Sequence, residues 1–187
     1  MRSRLAFGQF SAAAPHKGTL VLCLVLCTLG LGLSANAEER KAKFITFDAP
    51  GAGTGSFQGT SAYAINPWGA ITGDYSDAGS VYYGFLRAPW GTFTTFDAPG
   101  AGTGAFQGTY PANINPRGAI AGYYIDASSV FHGFLRAPWG TITTFEVAGA
   151  GTASGQGTIP FTSNPMDVIV GEYFDASNVF HGFLRIP

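Results

Sequence analysis

Charge is scarce in this chain. Of 187 residues only 11% are Asp, Glu, Lys or Arg, under half of the roughly 25% usual in globular domains. No lysine follows Lys43, and the only later cations are Arg87, Arg117, Arg136 and Arg185. With no basic stripe to neutralise phosphates, nucleic acid is excluded as a partner. Cysteine is nearly absent: Cys23 and Cys27 are the only two, both in one early apolar run. Helical periodicity is missing, because Gly and Pro break every window long enough for a helix. There is no G-x-S-x-G and no Walker lysine after a Gly-rich loop, so no nucleophile elbow or P-loop is on offer. The 27 glycines follow no Gly-X-Y period, which excludes collagen. At 46% hydrophobic, the chain is too apolar for disorder.

Residues 1–37 read as a cleaved export signal. Arg2, Arg4 and Lys17 supply the positive region, Thr19 to Leu33 the apolar run, and Ala35-Asn36-Ala37 a small-x-small cleavage site. The run is short for a membrane span, which needs about 20 residues, so no membrane attachment is expected after cleavage. Leu22 and Leu26 stand where a lipidation signal wants a small residue. The predicted destination is periplasmic or secreted. Removing the signal unmasks an acidic chain, with seven basic and eleven acidic residues and a net charge of −4. That chain has no cysteine and must be held by its core alone.

Self-comparison then organises everything beyond a short charged spacer, 38–43. One 49-residue unit occurs three times, over 41–89, 90–138 and 139–187. The first two copies agree at 33 positions and the last two at 30. The array is read as whole units, and 44–187 as one all-β repeat domain.

Each unit reads as four short strands in an antiparallel meander. The first is Phe44 to Phe47, with counterparts Thr92 to Phe96 and Thr141 to Phe145. It is rich in Phe, Ile and Thr, as strands are. A Gly-rich connection, Ala49 to Thr60, leads to a brief strand near Ala62 to Ile65 and the turn Asn66-Pro67-Trp68-Gly69. Pro at the second place and Gly at the fourth fit a type I turn. In the third strand Ile71, Gly73 and Tyr75 recur in every copy while Ala70, Thr72 and Asp74 vary, which predicts one buried and one free face. Val81 to Arg87 forms the fourth strand. Units of this size match β-propeller blades. A β-trefoil or three-sheet β-prism also closes at three, and two chains joining as a homodimer would complete a six-bladed ring.

The pieces F-T-T-F-D-A-P-G-A, I-N-P-x-G, G-x-Y-x-D and V-F-H-G-F-L-R resemble the bacterial extracellular HAF-type repeats, over all of 41–187. The resemblance implies an exported, propeller-like protein with no assigned activity and no catalytic residues. The name-giving His-Ala-Phe triplet is replaced by His132-Gly133-Phe134 and His181-Gly182-Phe183, and by Tyr83 in the first unit.

Candidate site residues follow from chemistry and from broken symmetry. His132 and His181 occupy equivalent positions, but a transition-metal site usually needs three or four ligands. Tyr83 at the same position argues for aromatic packing, so no metal is expected. Asp77, Asp126 and Asp175 open turns. Calcium would need six to eight oxygens, whereas an Asp at a turn start caps the backbone. Asp77 could also pair with Arg87 across the sheet. Trp90 and Trp139 are expected to pack between units. No cofactor is implied. An active or binding site should break the repeat. In the first unit Tyr63, Trp68, Asp74 and Tyr83 do so, and with His132 and His181 they form the predicted ligand-binding set. The expected function is a non-enzymatic structural or binding role towards a glycan or a protein. The competing reading is an envelope hydrolase or lyase, which would require clustered carboxylates.

Overall fold

The computed structural model describes residues 41–187, so the predicted export signal and the first half of the predicted spacer, 38–40, lie outside the described residues. Eleven strands form one mixed sheet, and there is no helix among the described residues. The first four strands are β1 (Gly59–Ile65), β2 (Ile71–Ser76), β3 (Tyr82–Arg87) and β4 (Phe93–Phe96). They pair antiparallel in sequence order. The pattern repeats in β5 (Gly108–Ile114), β6 (Ile120–Ile125), β7 (Phe131–Arg136) and β8 (Ile142–Phe145). The last group is β9 (Gly157–Ser163), β10 (Ile169–Phe174) and β11 (Phe180–Arg185). One parallel bridge joins each group to the next, Tyr82 to Gly108 and Phe131 to Gly157.

The turns explain why these strands stop where they do. Gly69 N–H bonds the Asn66 carbonyl at 3.0 Å, Ser80 N–H bonds Asp77 at 3.0 Å, and Gly91 N–H bonds Ala88 at 2.9 Å. The closing residue of each has positive φ: 81° at Gly69, 60° at Ser80 and 102° at Gly91. The side chains of Asn66 and Asp77 cap these turns by accepting backbone N–H groups two and four residues on, as Asx residues do.

Two sequence expectations are corrected by the pairing. Phe44 to Phe47 is not a strand. Its counterparts β4 and β8 pair backwards, with the last strand of the preceding unit, and no described residues precede the first unit. The four-stranded groups therefore straddle the sequence units, and the third group holds three strands. The variable face of the third strand is not free either. Thr72 and Ala121 have 0% exposure, because successive groups stack face to face and cover both sides. Ala64, Ala70 and Leu86 of the first group pack on the core of the second, built from Ile114, Ile120, Tyr124 and Phe134. Only in the third group does the variable face open, with Val170 at 41%.

Trp90 and Trp139 do not pack between units. Each is 81% exposed at the tip of the turn that precedes β4 or β8. Arg87 does not pair with Asp77. Its guanidinium lies 4.8 Å from the Phe47 ring centroid, and Arg136 and Arg185 repeat this over Phe96 and Phe145 at 4.9 Å.

Candidate functional site

The first strand of each group carries a β-bulge. In β1 the register passes from Ala62 opposite Gly73 to Ala64 opposite Thr72, leaving Tyr63 as the extra residue. Ala112 and Phe161 are the extra residues of β5 and β9. A bulge re-aims the side chain it carries, and here it puts Tyr63 at the mouth of a cleft. That cleft measures about 400 Å³ and is lined by Tyr63, Tyr110, Pro111, Ala112 and Tyr123.

The aromatic wall is ordered by stacking. Tyr110 lies between Tyr82, with centroids 4.7 Å apart, and Tyr123, at 5.1 Å with planes 6° apart. The Tyr110 hydroxyl donates to the Phe106 carbonyl at 2.8 Å. Behind the wall stands Asp74, 1% exposed, on the β2 face that meets the second group. Neither of its carboxylate oxygens has a hydrogen-bond partner. Burial pushes its pKa from 3.8 up to about 7, with the neighbouring Tyr63 hydroxyl pulling weakly the other way. Burial and then the Asp74 charge push Tyr63 up to about 12. Tyr110 and Tyr123 are raised too, burial being the larger cause in both. The cleft therefore presents neutral phenols, with the Asp74 carboxyl buried behind them and its pKa raised to about 7.

The structure brings together two of the six predicted residues, Tyr63 and Asp74. Tyr83, His132 and His181 lie elsewhere, on the opposite sheet face, and share one structural role. Tyr83 stacks on Tyr75 at 5.3 Å, His132 on Tyr124 at 4.7 Å and His181 on Tyr173 at 4.9 Å. Each turns a polar atom to the Asp that opens the preceding turn, at 3.5 Å for Tyr83 and 3.2 Å for both histidines. His132 is bracketed by Asp126 and, on its other nitrogen, by Glu146. Trp68 is 73% exposed, and its indole N–H reaches the Pro116 carbonyl of the next group at 2.9 Å. Arg117 repeats that reach to Pro165 at 3.3 Å. The Gly-rich connector is tied down by Gln58, which accepts from Gly55 N–H and donates to the Ala78 carbonyl. Among the described residues no group of three or more His, Cys, Asp or Glu is placed to hold a metal ion.

Tyr110 and Tyr123 were not in the predicted set. Their signal was present, since Tyr110 replaces Ser61 and Ile159, and Tyr123 replaces Asp74 and Glu172. Broken symmetry in the second unit points to them as directly as it does to Tyr63 in the first. The chain matches no protein-family model, no curated protein and no solved structure.

Proposed function

We propose that this chain is an exported repeat protein of propeller-like modules that binds a glycan in the tyrosine-lined cleft. The observation that carries this reading is the stacked Tyr82–Tyr110–Tyr123 wall beside a buried carboxyl without a partner. The Tyr63 ring, 55% exposed in the cleft lining, offers a face to the C–H face of a sugar, and the rims of the stacked phenols supply hydroxyls that donate or accept. Pockets of this kind combine apolar walls with a few placed polar groups. The export signal and the resemblance to HAF-type repeats support a role at the envelope or outside the cell. Screening the protein on a glycan array, then titrating the best glycan by calorimetry, tests the reading. Tyr110→Ala is expected to weaken binding at least about tenfold, the effect of losing roughly 1.4 kcal/mol of contact, while Trp68→Ala binds as the unaltered chain does. No binding on the array, or binding indifferent to Tyr63→Ala and Tyr110→Ala, overturns it.

A second reading, a hydrolase or lyase, rests on the same carboxyl. A pKa near 7 suits a general acid. Glycoside cleavage ordinarily needs a second carboxylate across the scissile bond, and none acts on Asp74. Turnover of a bound glycan that disappears in Asp74→Asn would favour this reading over simple binding.

A further inference from the structure

We propose that residues 44–47 of a second copy of this chain pair with the outer edge of β11, and that two such joints close two chains into one six-module ring. The argument begins with the two joints already inside the chain. At the first, β4 pairs with β3 so that Phe96 stands opposite Gly84. At the second, Phe145 stands opposite Gly133. A Cβ added at Gly84 or Gly133 would lie 2.7 or 2.8 Å from the facing ring. Gly182 has the same place in β11, within the same Gly-Phe-Leu-Arg sequence, yet its added Cβ would meet nothing closer than 4.0 Å. No described strand pairs this edge.

The missing half of that joint lies at the other end of the chain. Phe44-Ile45-Thr46-Phe47 corresponds to β4 and β8 in sequence, and Phe44 and Ile45 are 90% and 70% exposed. Phe47 is already seated on its own module, edge-on to Phe85 at 6.4 Å. Phe96 meets Phe134 at 6.2 Å and Phe145 meets Phe183 at 6.3 Å in the same way. In both internal joints that Phe also covers the glycine of the preceding module, and for Phe47 this second contact is absent. A second pair of glycines shows the same vacancy. A Cβ at Gly108 or Gly157 would collide with the carbonyl of Tyr82 or Phe131, whereas Gly59 has nothing within 4 Å.

Apolar surface and charge agree with this partner. Val170, Phe180 and Leu184 are 41%, 61% and 61% exposed on the β11 side, and Ile65 is 65% exposed on the β1 side. Carrying the β8 register over to β11 sets the partner's Asp48 where Glu146 brackets His132, against the free nitrogen of His181. The other nitrogen of that ring already faces Asp175, and Tyr173 is the ring stacked on it. Unpaired sheet edges recruit strands, and six modules lie within the usual range of closed propellers.

Sedimentation velocity on the purified protein is expected to give twice the mass of the chain, unchanged on raising the concentration. Gly182→Val fills a space that is open within the chain, so folding is retained, and it is expected to raise the dimer dissociation constant at least about 100-fold. Ile45→Cys with Leu184→Cys, residues brought opposite by the β4 register, is expected to form a disulfide between chains. A monomer at about 100 μM, a dimer untouched by Gly182→Val, or a disulfide within one chain overturns the proposal. A mass that grows without limit overturns the closed ring.

Discussion

The ring of Phe96 fills the space that a side chain at Gly84 would need, 2.7 Å from the Cβ position. That same ring lies beneath the Arg136 guanidinium and edge-on to Phe134, so it is wedged between two modules. It cannot retreat from Gly84 without disturbing the second core. Gly84→Val is therefore expected to destabilise the fold by about 1–3 kcal/mol, the usual cost of overfilling a packed site, and Gly133→Val by a similar amount. Urea denaturation of the two variants checks this.

Asp74 should make stability fall as pH rises. Its folded-state pKa, about 7, lies above the unfolded value of 3.8. Below about pH 4 both states hold the proton and the residue is neutral in its effect. Between about 4 and 7 the unfolded chain releases a proton that the folded chain retains, so stability declines with pH by up to roughly 4 kcal/mol. Asp74→Asn is expected to flatten this slope and to be more stable than the unaltered chain at pH 8. Part of that gain is lost because the amide inherits a site without hydrogen-bond partners. Thermal melts of both proteins from pH 4 to 8 measure the difference.

The repeat was legible because the residues that shape it are the ones that recur. Asn66, Asp77 and Gln58 make their bonds within five residues or to a neighbouring turn, and local chemistry of that kind shows in a single sequence. Residues 44–47 have the composition of a strand yet form none, because strand character at this position depends on a partner. The counterpart β4 exists by pairing with β3 of the preceding unit, and a propensity carries no partner. The third strand reads as half-exposed in sequence because one of its faces varies between copies. One such position varies although both versions are buried: Thr72 donates its hydroxyl to the Phe85 carbonyl of the adjacent strand at 2.8 Å, Ala121 has no polar group to place, and each is 0% exposed. The cleft was half legible: symmetry breaking led to Tyr63 and Asp74, but the side chains that complete it come from the next unit.

Phe57 has φ of 62° and is 98% exposed. A bulky residue in the left-handed region costs roughly 1–2 kcal/mol, and this one recovers nothing by packing. The third unit has Gly155 at that position, with φ of 80°. Phe57→Gly is expected to stabilise the chain by about 0.5–1 kcal/mol, less than the full strain because glycine also frees the unfolded chain. A rise in the urea midpoint with unchanged slope is the outcome to look for. Unaltered stability would mean that the strain is relieved elsewhere.

Asn115 joins a turn to the next module with one side chain. Its Oδ1 accepts the N–H groups of Arg117 and Ala119 at 2.9 and 3.0 Å, and its Nδ2 donates to the Asn164 carbonyl and to Asp167 Oδ1 at 3.0 and 2.9 Å. It is 1% exposed, so every bond broken leaves a desolvated group. Asn164 caps the equivalent turn through Met166 and Val168 but is exposed. Asn115→Ala is expected to cost about 3–5 kcal/mol and Asn164→Ala about 1–2, on the basis of roughly 1–2 kcal/mol per buried bond lost. Asn115→Asp separates the two jobs of the side chain. The aspartate keeps both turn bonds and loses both donors, and it sets a carboxylate against the Asp167 carboxylate and a carbonyl. Its penalty should therefore be small below the usual carboxylate range and grow as pH rises past it. Faster amide exchange in β9 and β10 above pH 5, with β1 and β2 unchanged, would place the loss at the joint between the second and third modules.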